Sequence, residues 1–296
     1  MKYIKLNRKF TLLSIAMIIF LLILLFINTT TSINKHAIIN EPFFLKCKAS
    51  IYGYENDTSI LSLFFVDSKT NSLVLKLIKD SEKIAFDNEE YIEILDKNII
   101  RGSTYKNMSL YTLDLKVKFK KTGNISYENL YFVNSDNEVV DKLQVGEYTF
   151  LILNQSHNNK GLNILSHSSI RPFLDKYLLI LENISGEQIK LKNIESGKFS
   201  DYVDEILIQI NEDKVKEYKY GEDIVLSPKD TVKIEINFNK SKSNDHKDYD
   251  VFIFNPNIKY QDNGIIQNKI SMRSFYGVSF NEKRMKKLLS KFMNSN

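Results

Sequence analysis

The side chains best suited to catalysis or metal binding are few and scattered in this sequence. There are four histidines and one cysteine, Cys47. His36 precedes the main part of the chain, His157 and His167 are ten residues apart, and His246 stands in a polar, acidic loop. None of them has the short spacing of zinc ligands, and a second cysteine is lacking. The sequence therefore predicts no metal site, and it predicts a buried, unreactive thiol for Cys47, which lies in an apolar, strand-like run.

Motifs that bind cofactors or carry a nucleophile are also missing from the sequence. It contains no Gly-x-Ser-x-Gly elbow, no P-loop and no Gly-x-Gly-x-x-Gly. Neighbouring acids such as Glu89–Glu90 need a cleft before they can act as a catalytic pair. The oxygen-rich segments 134–138 and 243–250 lack the order of a calcium loop and are interpreted as turns. We therefore predict a protein without a cofactor and without catalytic activity.

Aromatic side chains offer a second kind of chemistry, because exposed rings can stack on sugars. The chain has no tryptophan and 16 tyrosines. Tyr52, Tyr54 and Tyr105 lie in loop-like segments and are candidates for such a platform. The alternative is that they are ordinary strand tyrosines.

The net charge of +5 is concentrated at the two ends of the chain. The first nine residues carry four positive charges and no acid, and the tail from Asn281 carries a net four more. The body between them is therefore mildly acidic, at −3 by difference. This distribution argues against nucleic-acid binding, which requires a basic surface on the folded body.

The longest apolar run, Phe10–Ile27, contains no charge, no proline and no glycine. As a helix it would be about 27 Å long, close to the hydrocarbon thickness of a bilayer. Basic residues precede it and an uncharged segment follows, so the positive-inside rule places the N-terminus in the cytoplasm. We predict an uncleaved signal anchor; a cleaved secretory signal is the alternative. The predicted order is a cytoplasmic basic tip (1–9), a transmembrane anchor (10–27) and a polar stalk (28–42).

Beyond the stalk the chain alternates apolar and polar residues, which is typical of β-strands. Leu113–Phe119 and Thr231–Phe238 show strict alternation, with one apolar and one polar face. Leu61–Val66 and Leu73–Ile78 flank a segment with the composition of a turn. These two runs predict a β-hairpin.

The strand pattern of residues 43–160 recurs in residues 161–280, on either side of the polar segment Asn154–Ser169. The offset drifts from about 114 to about 121 residues, as small loop insertions would make it. We predict an all-β fold with two tandem immunoglobulin-like antiparallel β-sandwich modules, 43–160 and 161–280. A single larger sandwich is the alternative. The matched segments are Leu61–Val66 with Tyr177–Leu181, Leu73–Ile78 with Ile189–Leu191, Tyr91–Leu95 with Glu205–Ile210, Leu113–Phe119 with Thr231–Phe238, and Leu130–Asn134 with Val251–Asn255.

The tail, residues 281–296, has the pattern of a short amphipathic helix. It is predicted either to contact a membrane surface or partner, or simply to pack against the second module. Its apolar residues fall on one helical face: Met285, Leu288, Leu289, Phe292 and Met293. Its basic residues fill the other side: Lys283, Arg284, Lys286, Lys287 and Lys291.

These features together predict a single-pass membrane protein whose bulk lies outside the cytoplasm, in the cell envelope. The expected role is structural or binding, with a protein partner recognised through sandwich loops or strand edges. One alternative is a subunit of a membrane or surface-filament assembly. The other is an extracytoplasmic enzyme or accessory subunit, with a site between the modules near His157 and His167. The sequence indicates no particular small molecule.

Overall fold

The computed structural model describes residues 43–68, 72–105, 107–154, 161–169, 174–239 and 249–277, together with Lys283 and Lys286. The described residues are mostly β-strand, so the prediction of an all-β fold is confirmed. The predicted anchor (10–27), the stalk (28–42) and most of the tail lie outside the described residues. Among the described residues, no helix is long and apolar enough to span a membrane.

Eight strands and one α-helix are described in the first half of the chain. The strands are β1 (Phe43–Phe44), β2 (Cys47–Tyr54), β3 (Thr58–Ser68), β4 (Lys83–Ala85), β5 (Ile92–Tyr105), β6 (Met108–Phe119), β7 (Gly123–Val133) and β8 (Val139–Leu153). Helix α1 (Leu73–Asp80) lies between β3 and β4.

Eleven strands and one 3-10 helix (Gly197–Tyr202) are described in the second half. The strands are β9 (Leu162–Ser169), β10 (Lys176–Asn183), β11 (Ile189–Glu195), β12 (Val203–Ile210), β13 (Lys216–Glu217), β14 (Ile224–Leu226), β15 (Thr231–Phe238), β16 (Val251–Phe254), β17 (Asn257–Asp262), β18 (Ile265–Ile270) and β19 (Ser274–Tyr276).

The described strands form four sheets. Their orders are β1-β3-β6-β5, β13-β12-β15-β10-β9, β14-β11-β17-β18 and β19-β16-β2-β8-β7-β4. The strictly alternating segments are strands, as predicted, and their apolar faces are buried. In β15, for example, Val232, Ile234 and Ile236 are fully buried, while the residues between them are partly exposed.

The predicted hairpin of Leu61–Val66 with Leu73–Ile78 is wrong, because Leu73–Asp80 is the helix α1. Its apolar run fits period 2 and period 3.6 equally well, so alternation alone could not decide between strand and helix. The polar residues before the run favour the helix. Ser72 is the N-cap, and its hydroxyl accepts a hydrogen bond from the Leu75 amide at 3.0 Å. Strand β3 pairs instead with β6 over its whole length.

One pairing order occurs in both halves of the chain. In the first half β3 pairs with β6 and β6 with β5; in the second half β10 pairs with β15 and β15 with β12. These are segments matched in sequence, but two of the matched pairs do not correspond in the structure. Leu73–Ile78 is helical, whereas Ile189–Leu191 lies in strand β11. Val251–Asn255 does not take the place of Leu130–Asn134, because β16 pairs with β2 and β19, whereas β7 pairs with β4 and β8. Strand β17 is the counterpart of β7, since it pairs with β11 and β18.

The six-stranded sheet contains strands from both halves of the chain. Strand β16 pairs in parallel with β2, with Val251 opposite Cys47 and Phe254 opposite Ser50. It continues through Asn255 and Pro256 into β17, while β18 continues into β19. A single long hairpin therefore contributes to two sheets and joins the second half to the first.

Cys47 is fully buried in β2, as predicted. Burial raises the pKa of its thiol to about 12. We expect no reaction between the folded protein and Ellman's reagent at about pH 8, because the attacking thiolate is not formed. In concentrated guanidinium chloride the same reagent should titrate one thiol per chain. Equal reaction rates in the two conditions would contradict the buried position.

Candidate functional site

A cleft in the described structure lies where the two halves of the chain meet. Its volume is about 580 Å³. One wall is the end of β2 and the start of β3, and the other is the segment that joins β18 to β19. The cleft is thus built by residues more than 200 positions apart in the chain.

Asn255 fixes the two walls relative to each other. It is 2% exposed, and its amide Oδ1 accepts a hydrogen bond from the Tyr52 backbone N–H at 2.9 Å. Its Nδ2 donates to the carbonyl oxygens of Tyr52 at 3.3 Å and of Ser271 at 3.2 Å. The side chain therefore extends the pairing between β16 and β2 by one step, as a backbone peptide group would. The Tyr54 hydroxyl adds a second tie by donating to the Asn268 carbonyl at 2.6 Å.

The floor of the cleft depends on a close approach at Gly53. A Cβ atom at this position would lie 2.2 Å from the ring of Phe119. Any other residue would displace this ring, which is fully buried in the core of the first half. The glycine thus allows the ring of Phe119 to lie directly against β2.

Arg273 is the cation of the cleft. Its guanidinium donates one hydrogen bond to the Ile60 carbonyl oxygen and one to the Ser59 hydroxyl. The group is surrounded by protein, which lowers the pKa of Arg273 to about 10, although the residue is still partly exposed through the cleft. It therefore remains charged at neutral pH. Among the described residues, no carboxylate forms an ion pair with it.

The mouth of the cleft exposes apolar side chains. Ile60 is 50% exposed and Met272 is 54% exposed. Phe275 lies beside them, and its ring stands edge-on to that of Phe64 at 6.2 Å. The cleft thus has a cation, Arg273, inside it and apolar side chains at its mouth. This combination is typical of a binding site.

A backbone edge also faces the cleft. Strand β1 pairs only with Phe65 and Val66 of β3, so within the described residues no strand pairs with the outer edge of residues 58–63. The Ile60 carbonyl accepts from Arg273 and the Phe64 carbonyl accepts from the Leu45 amide, so both point away from β6. The backbone N–H and C=O groups of successive residues in a strand point to opposite sides. Those of Thr58 and Ser62 therefore also point away from β6.

A second, smaller cleft of about 370 Å³ shares Tyr52 with the first. Burial raises the pKa of the Tyr52 hydroxyl. Glu195 lines this cleft, but its carboxylate is already bound by Lys259 at 2.5 Å and by the Asn257 amide at 2.9 Å. This cleft therefore offers no free charge comparable with that of Arg273.

Of the two histidines predicted near a site between the modules, His167 is the one that lies among the described residues. His167 lies in β9 and lines neither cleft. His36, His157 and His246 lie outside the described residues. No group of metal-ligating side chains is found in the described part of the chain.

The acidic candidates have local roles. Glu89 and Glu90 form ion pairs with Lys83 and Lys121. The segment 134–138 is a turn, as predicted, and Asn134 Oδ1 accepts bonds from the amides of residues 136 and 138. The segment 243–250 lies largely outside the described residues.

The remaining candidates from the sequence divide into two groups. Tyr52 and Tyr54 lie in strand β2 rather than in a loop, and both line the larger cleft. Of the tail residues, Lys283 and Lys286 are helical and exposed. The others lie outside the described residues: Arg284, Met285, Lys287, Leu288, Leu289, Lys291, Phe292 and Met293.

Sequence reasoning missed Arg273 and Asn255. A weak local signal existed for Asn255, because an amide followed by proline interrupts the apolar run that begins at Val251. For Arg273 there was no local signal, since a single arginine beside a strand usually lies in solvent.

Comparison with known proteins adds little to this geometry. No protein-family model matches the chain, and no curated protein matches it. Among solved structures, a match is found to the secreted serine protease VesC from Vibrio cholerae, at 9% identity and a TM-score of 0.19. It covers 82% of this chain and 52% of the protease, so the chain spans about half of that protein's length. A similarity of this size carries no argument about fold or function.

Proposed function

We propose that this chain is a non-catalytic binding protein of the cell envelope that recognises a protein partner through the cleft between its two halves. The observation that carries the proposal is the cleft itself. It combines exposed apolar side chains with a strand edge and a cation that have, respectively, no paired strand and no ion-pair partner among the described residues. Sites of this composition suit a polypeptide better than a small polar metabolite.

The proposal also covers the location of the chain in the cell and the fold class of its two halves. The apolar run 10–27 would anchor the chain in the cell membrane with the N-terminus in the cytoplasm, as the distribution of basic residues favours. The two halves would be tandem immunoglobulin-like modules. The recurring order β3-β6-β5 and β10-β15-β12 supports this, because it matches the B-E-D order of an immunoglobulin sheet.

The proposal is tested by a crosslinking pull-down of the tagged full-length protein from its native membrane, with the variant Ile60→Asn. Recovery of the partner should fall about fivefold, because the contact with the remaining exposed half of this side chain is worth about 1 kcal/mol. The matched control is Ile100→Asn, since Ile100 is also 50% exposed and lies in the same sheet. Equal recovery from the two variants would contradict binding at the cleft.

A further inference from the structure

Arg273 has hydrogen-bond donors that its described bonds do not use. A guanidinium carries five N–H groups, and the described bonds of Arg273 use one on each terminal nitrogen, which leaves three. Both described acceptors, the Ile60 carbonyl and the Ser59 hydroxyl, are uncharged. The desolvation of the guanidinium is therefore not offset by an opposite charge within the described structure. An anionic ligand would supply that charge.

The charge of the cleft favours a single negative charge on the ligand. Among the described residues that line it, Arg273 is the only lysine or arginine, and Asp57 lines it as well. A phosphate dianion would meet one cation and a neighbouring carboxylate. A carboxylate carries one charge and matches the planar fork of a guanidinium in two parallel bonds.

The free edge of β3 adds a backbone component to the site. Thr58, Ile60 and Ser62 direct their N–H and C=O groups away from β6, towards the side from which Arg273 reaches Ile60. The Ile60 carbonyl is already bound by Arg273, so a peptide would pair with the groups of Thr58 and Ser62 and with the Ile60 N–H. The distance from Thr58 to Ser62 along the strand is about 13 Å. This length accommodates about five residues of an extended peptide, which can bind by adding a strand to the edge.

We propose that the ligand of the cleft is an extended peptide segment of a partner protein, paired with the edge of β3 and carrying an acidic side chain that binds Arg273. The inference rests on the proposed function, because it names the chemistry that the same cleft recognises. Ile60 and Met272 then contact the apolar neighbours of the acidic residue. The register is set at Arg273, while the backbone bonds contribute affinity.

The test uses full-length protein in detergent micelles and an array of peptides of about eight residues. Each peptide carries one central glutamate between aliphatic residues and is paired with a twin that carries glutamine. We expect glutamate peptides to bind about 10- to 100-fold more tightly than their twins, as a charge-assisted bond provides. This ratio should fall to about 1 in Arg273→Gln and take an intermediate value in Arg273→Lys. An unchanged ratio in Arg273→Gln, or a ratio of about 1 in the unmodified protein, would overturn the inference.

The matched control is Arg101→Gln. Arg101 also donates to a serine hydroxyl, that of Ser109 at 3.2 Å, but it lies in β5 and does not line the cleft. This variant should keep the full preference for glutamate. If Arg273→Gln does not fold, the inference is still tested by the ratio of glutamate to glutamine affinity, measured on the unmodified protein and on Arg273→Lys.

The backbone component is tested separately by N-methylation of alternate residues of the best peptide. Methylation at one parity should abolish binding, and methylation at the other should have little effect, because only alternate amides face the edge of β3. Equal effects at both parities would overturn the strand-addition part. Stronger competition by inorganic phosphate than by acetate at equal ionic strength would overturn the choice of a carboxylate.

The outcomes separate this inference from the proposed function. Suppose that every glutamate peptide binds no more tightly than its glutamine twin, while Ile60→Asn still lowers the recovery of the partner. The cleft then binds a partner, and the inference that the ligand is an acidic peptide is wrong. If Ile60→Asn has no effect, the proposed function fails first. Preferential binding of peptides copied from residues 28–42 or 281–296 would overturn the assignment to a partner protein, since the chain itself would then occupy the cleft.

Discussion

Replacing Asn255 with alanine is expected to lower the free energy of unfolding by about 3–5 kcal/mol. The amide makes three hydrogen bonds in a buried position, and alanine can make none of them. The N–H and C=O groups of Tyr52 and the carbonyl of Ser271 would lose their partners. Such orphaned groups cost about 1–3 kcal/mol each, which is more than the bonds themselves contribute.

The measurement is the urea midpoint of the full-length protein, with Asn163→Ala as the matched control. Asn163 is an exposed strand asparagine in β9, and its replacement should change the stability by less than about 0.5 kcal/mol. Hydrogen exchange on the Asn255 variant should show the largest loss of protection in β2 and β16. Equal midpoints for the two variants would show that Asn255 does not join the halves.

Replacing Asp67 with alanine is expected to destabilise the protein by about 2–4 kcal/mol. Asp67 is fully buried at the end of β3, and its carboxylate accepts hydrogen bonds from the Val74 amide at 2.9 Å, the Ser68 amide at 2.6 Å and the Ser72 hydroxyl. Ser72 is the N-cap of α1 and Val74 lies in its first turn, where amides lack partners within the helix. A negative charge is also favourable at this end of a helix.

The control for Asp67 is Asp80→Ala at the other end of the same helix. Asp80 is exposed, and an acid at a helix C-terminus is unfavourable, so its removal should be neutral or slightly stabilising. Asp67→Asn should give an intermediate loss, because the amide keeps one acceptor. A melting temperature of Asp67→Ala equal to that of Asp80→Ala would contradict the role of the buried carboxylate.

The strands were the most predictable part of the fold, and residues such as Val232, Ile234 and Ile236 show why. A strand with one buried face has a period of two, and this period is visible in the sequence without knowledge of its neighbours. The run Leu73–Ile78 failed under the same rule because two periods fit it. Its capping residues, Ser72 and Asp67, contained the deciding information.

The cleft could not be predicted from the sequence because its parts are distant in the chain. Asn255 meets Tyr52 across 203 positions, and Arg273 meets Ile60 across 213. Neither pairing leaves a periodic or spacing signal. The polar segment Asn154–Ser169 marked a division in the pattern, but the hairpin that includes β16 and β19 returns to the first half and builds the six-stranded sheet.

The most direct test of binding at the cleft is site-specific photo-crosslinking in the native membrane. A benzoylphenylalanine would replace Met272 at the cleft, and in a control chain it would replace Ile184, which is 53% exposed and lies away from the cleft. The account predicts a discrete adduct with a partner protein from position 272 and none from position 184. The absence of an adduct at 272, or the same adduct from both positions, would contradict it.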